Sequence, residues 1–86
     1  MRFIIKEYIE KIEIKDIFKF ALDNNIDLND NEAKILYFYL KNNWEDLLYG
    51  NPEPIILEIK NKIGEDKGNV ICDLFYFYRE KYKNYL

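Results

Sequence analysis

The chain has 86 residues, 49% hydrophobic and 17% aromatic, with a formal net charge of −3. That length suits one small domain, in which only about 60 to 65% of the unfolded surface can be buried. The acidic balance, with both signs of charge mixed along the chain, lacks the basic footprint of a nucleic-acid binder, and the absence of His, Ser, Thr and Gln removes Ser-His and Cys-His nucleophile pairs, the P-loop and imidazole metal ligands.

Residues 2 to 12, RFIIKEYIEKI, place Ile5, Tyr8, Ile9 and Ile12 on one helical face, at i, i+3, i+4 and i+7, with Glu7, Glu10 and Lys11 facing away. The same charges interrupt the apolar run, so this start does not read as a signal peptide. Residues 13 to 24, EIKDIFKFALDN, predict a second amphipathic helix. Ile14, Ile17, Phe18 and Ala21 share its inner face and Phe20 lies on the edge. Glu13 and Asp16 sit near its start, where negative charge suits the helix dipole.

The next stretch, DNNIDLNDNEAK (23 to 34), poses a choice between a calcium loop and a helix connection. With Asp23 at loop position 1, Asn25 and Asp27 occupy positions 3 and 5 of an EF-hand. Leu28 then stands where Gly is required, Asp30 where an apolar residue belongs, and Lys34 where the bidentate Glu must be. A cation in place of the strongest anionic ligand rules the calcium reading out. The stretch reads instead as helix stop, turn and helix start. Asn24 and Asn25 tolerate the left-handed conformation, Ile26 and Leu28 tuck inward, and Asn29 with Glu32 forms a capping box.

Residues 30 to 43 predict the third helix, with Ala33, Leu36, Tyr37 and Leu40 inward and Ile35 and Phe38 on the opposite side. It either breaks at Asn42 and Asn43, the favoured reading, or runs on to Tyr49 through the i, i+4 series Leu36, Leu40, Trp44, Leu48. Gly50 stops it in either case. Asn51 caps a fourth helix with Pro52 at its first position and Ile56, Ile59 and Ile63 inward, ending at Gly64. EDKGN reads as a turn. The last helix, roughly 67 to 84, carries Val70, Ile71, Leu74, Phe75, Phe77, Tyr78 and Tyr82 on its inner stripe, and Cys72, Tyr76, Arg79, Glu80 and Lys83 on its back. No segment sustains the two-residue alternation of a strand. The predicted fold is all-α, residues 1–86 forming a single compact bundle of four to five short helices.

The order of signals resembles a known family. An amphipathic start leads into IEIKDIFKFALDNNIDLNDNEAKILYFYL, followed by the Pro-initiated PEPIILEIKNKI and the apolar VICDLFYFYREKY. Over about residues 10 to 82 this pattern is similar to the YqfT-like family of low-GC Gram-positive bacteria, a small helical domain of unknown function. The resemblance implies the helical fold and no mechanism. The wealth of Ile, Lys, Asn, Tyr and Phe, all written with A/T-rich codons, fits a low-GC genome.

One cysteine, Cys72, permits no intrachain disulfide and fits a reducing cytoplasm. No uncharged stretch approaches the ~20 apolar residues of a membrane span. Sixteen carboxylates are scattered without a motif, and a small domain of short helices seldom holds the shaped pocket that acid–base work needs. No catalytic residue, cofactor or metal is therefore expected. The functional expectation is a protein-interaction module, self-associating or part of a complex. Ile35, Phe38, Cys72 and Tyr76 are the candidate contact residues, because they lie on the backs of helices whose inner faces are already apolar. The alternative is a weak nucleic-acid-associated or regulatory protein, suggested by the mixed cations and aromatics of YREKYKNYL.

Overall fold

Five helices follow one another in the computed structural model, which describes residues 2–81: α1 Arg2–Lys11, α2 Ile14–Asp23, α3 Asp30–Leu48, α4 Glu53–Ile63 and α5 Glu65–Lys81. There is no strand among the described residues, so the domain is an all-α bundle. The long helix α3 is its axis, packed against α1, α2 and α4, while α5 packs against α4.

The boundaries follow from local chemistry. Asp16 Oδ2 accepts from the Glu13 backbone N–H at 2.8 Å and opens α2. The Asn24 side-chain amide donates to the Phe20 carbonyl at 2.9 Å and closes it. Asn25 then turns the chain with a φ of 59°, a conformation that asparagine tolerates better than most residues. Ile26 and Leu28 are buried and pin the turn to the core. The capping box at α3 is complete: Asn29 Oδ1 accepts from Glu32 N at 2.8 Å, and Glu32 Oε1 from Asn29 N at 3.0 Å.

Both predicted courses for the third helix are partly realised. The helix runs to Leu48, but Asn43 leaves helical geometry (φ −129°, ψ 19°) and bends it. One residue earlier the Asn42 amide donates to the Phe38 carbonyl at 2.8 Å, the same back-bond that ends α2. In α4, Pro52 already has helical angles (φ −79°, ψ −14°), and Asn51 Oδ1 accepts from Glu53 N at 3.2 Å.

Several expectations are corrected. EDKGN is not a turn: Gly64, with a φ of 102°, reverses the chain alone, and α5 begins at Glu65. Gly68 then lies buried inside α5, so close to α4 that an added Cβ would stand 2.8 Å from Lys60 Cγ and 3.0 Å from Lys60 Cα. This close approach rotates the inner face of α5. It runs through Gly68, Ile71, Cys72, Phe75 and Tyr78, leaving Val70 and Phe77 exposed and bringing the expected back residue Cys72 inward. Tyr82 and Lys83, also placed on that helix, lie outside the described residues. On α1, Tyr8 is exposed and Ile9 carries the burial. On α3, Ala33 is in the core with Leu36, Tyr37 and Leu40 half-buried against it, as expected, and Tyr39 and Leu47 are buried as well. A central helix contacted from several directions is apolar on more than one side.

The same packing supplies caps from a distance. Lys41 Nζ donates to the Ile9 and Glu10 carbonyls, each at 2.7 Å, at the C-terminal end of α1. Arg79 does the same for α3, reaching the carbonyls of Leu47 at 3.1 Å and Gly50 at 3.0 Å. Arg79 was expected on the outward back of its helix; in the fold it spans α5 and the end of α3.

Candidate functional site: an apolar cavity and an exposed aromatic face

Large aliphatic and aromatic side chains leave a gap inside the bundle. All five helices border this cavity, whose volume is about 300 Å³. Its floor is formed by the buried side chains of Ile17, Tyr39, Leu47, Ile56, Ile59 and Ile71. Phe75 and Tyr78 of α5 form one wall, and Tyr78 is 6.2 Å from the ring of Phe20 on α2. The exposed lining residues, Tyr8 and Asp16, mark the mouth. A pocket is thus present, although a domain of short helices seldom holds one. Chain length and composition carry no information about where helices of different length diverge.

Cys72 lines this cavity and is half-buried. Burial pushes its thiol above the ordinary value, with the nearby Lys60 opposing and Asp73 and Glu53 reinforcing the shift. A thiol so held is protonated at neutral pH and poorly nucleophilic. Asp16 is the only carboxylate in the lining among the described residues, and it sits at the solvent edge. Among the described residues, no group of three or more Cys, Asp or Glu side chains is placed to hold a metal ion.

The four candidate contact residues divide into two pairs. Ile35 and Phe38 lie on α3, and Cys72 and Tyr76 a turn apart on α5. Phe38 is 57% exposed and meets Tyr39 edge-on, with centroids 5.4 Å apart. Ile35 is half-buried, on the same side as Tyr39 four residues later. Tyr76 is 39% exposed, with its hydroxyl 3.5 Å from Glu53 Oε1. Burial and then the Glu53 charge raise the pKa of this phenol. Cys72 belongs to the cavity instead of the outer face. The sequence reading missed the exposed Phe3, Ile4, Leu22 and Leu57, which also break the polar faces of their helices.

Comparison with protein-family models, curated proteins and solved structures finds no match to this chain. No helix among the described residues is long and apolar enough to cross a membrane.

Proposed function

We propose that this domain is a protein-interaction module that self-associates through the outer face of α3, with Phe38 at the centre of the contact and Ile35 at its edge. The observation that carries the reading is the 57% exposure of Phe38 on a helix whose other apolar residues are packed. A core that is already served by Ala33, Tyr39 and Leu47 does not need Phe38. Aromatic side chains left outside in this way are favoured at interfaces.

Burying two such side chains supplies several kcal/mol gross, at about 25 cal/mol per Å² of apolar surface. Association costs on the order of 4 to 15 kcal/mol, so the expected dimer is weak to moderate. Tyr76, exposed on α5, is a secondary contact. Binding is preferred to catalysis because, among the described residues, the cavity lining pairs no acid with a base. The resemblance to the YqfT-like family joins this proposal on helix order alone and adds no activity.

Size-exclusion chromatography with light scattering tests the reading. The wild type should show a concentration-dependent dimer, and Phe38→Glu a folded monomer. Leu47→Glu should unfold the domain, because it buries a charge in the core. A wild type that stays monomeric at millimolar concentration, or a Phe38→Glu variant that dimerises unchanged, would refute the proposal.

A further inference from the structure

We propose that the cavity beneath Tyr8 and Asp16 is a binding site for one small, neutral, apolar molecule of about two-ring aromatic size. This inference is independent of self-association, since neither Phe38 nor Ile35 borders the cavity. Size is the first argument. An engineered apolar cavity of about 150 Å³ in another protein stays dry and admits benzene. The cavity here is about 300 Å³, room for roughly twice that molecule.

The lining is the second argument. Isoleucine side chains of α2, α4 and α5 form most of the floor, with rings of Tyr39 and Phe75 beside them. Water in such a space finds few of the two to four polar partners that hold it. Among the described residues no Lys or Arg borders the cavity, and the one charged group in its lining is the Asp16 carboxylate at the mouth. A fatty acid or another organic anion would meet that carboxylate on entry and find no cation inside. The chemistry thus selects a neutral ligand over an anionic one. Access is the third argument: Tyr8 is 67% exposed and Asp16 is exposed, so the mouth opens to solvent and exchange needs no global unfolding.

The neutral two-ring fluorophore 1-naphthylamine serves as the probe, with the anionic 5-amino-1-naphthalenesulfonate as its charged counterpart. The neutral dye should bind saturably, one per chain, and more tightly than the anion. At ten times its Kd it should slow alkylation of Cys72 by N-ethylmaleimide about tenfold, because the site is then empty in about one molecule in eleven. Cys72→Phe and Ile12→Phe fill the cavity from two half-buried lining positions, and each variant that folds should lose saturable binding. Leu57→Glu, on the exposed face of α4, should bind the dye as the wild type does. Absence of saturable binding, unchanged binding by a folded filled variant, or an unprotected Cys72 at saturation would each overturn the proposal. Loss of binding in folded Leu57→Glu would likewise overturn it, by assigning the dye to the outer surface. A monomeric wild type that binds the dye would remove the self-association proposal and leave this one standing.

Discussion

Lys67 Nζ donates to Glu32 Oε1 at 2.9 Å and so ties the first turn of α5 to the first turn of α3. The Glu32 side chain is only 12% exposed, and the same oxygen accepts the Asn29 backbone N–H. That backbone hydrogen bond first, and Lys67 second, hold the Glu32 carboxyl below its ordinary value. A carboxylate with a lowered folded pKa contributes stability above its unfolded pKa, and this is lost as pH falls through the folded one. The wild type should therefore lose melting temperature on acidification below about pH 4.5 more steeply than Glu32→Gln. Parallel acid melts would count against the arrangement.

Asn29→Ala should destabilise by about 1 kcal/mol, the usual cost of removing an N-cap. Asp23→Ala should cost no more than about 0.5 kcal/mol, since Asp23 holds only an exposed i, i+4 pair with Lys19 at 2.9 Å. Millimolar calcium should leave both melts unchanged. Urea denaturation of the two variants gives the ranking, and the reverse order would mean that α3 does not start at this cap.

Gly68→Ala tests the approach of α4 to α5. On helix propensity alone it would stabilise by about 1 kcal/mol. The new Cβ instead meets Lys60 Cγ at 2.8 Å and Lys60 Cα at 3.0 Å, and the backbone atom cannot swing aside. Net destabilisation of about 1 to 3 kcal/mol is expected from overpacking. A stabilised variant in equilibrium denaturation would show that the helices are farther apart.

Arg79→Ala should cost about 1.5 kcal/mol, near the low end for hydrogen bonds from a charged donor, because the side chain is only half-buried. Arg79→Lys should recover only part of the loss. An ammonium is a point donor and does not span the Leu47 and Gly50 carbonyls as the two guanidinium nitrogens do. Equal stability of the Arg, Lys and Ala forms in urea would remove Arg79 as a cap of α3.

The places where sequence reading succeeded share a length scale. The Asn29–Glu32 box, the turn at Asn25 and the Pro52 start each involve residues within four positions of one another. Hydrophobic spacing also identified Ile9, Ile17, Ala21, Ile56, Ile59 and Ile71 as core residues. It failed where a helix has more than one apolar side. On α3, periodicity found Ala33, Leu36, Tyr37 and Leu40 on the core side and Phe38 outside, but missed the burial of the adjacent Tyr39 on a second apolar side. On α5, Gly68 was read as turn punctuation, although it is the contact point that sets which side faces α4.

The helical class, the caps and most boundaries were determined by the sequence itself, because propensity, capping and turn chemistry act between near neighbours. Tertiary structure alone decided the inward turn of Cys72, the distant caps made by Lys41 and Arg79, and the cavity that all five helices border. Those features depend on distances between helices. Such distances come from the sum of many weak packing contacts across the whole domain, and no local stretch of sequence encodes them.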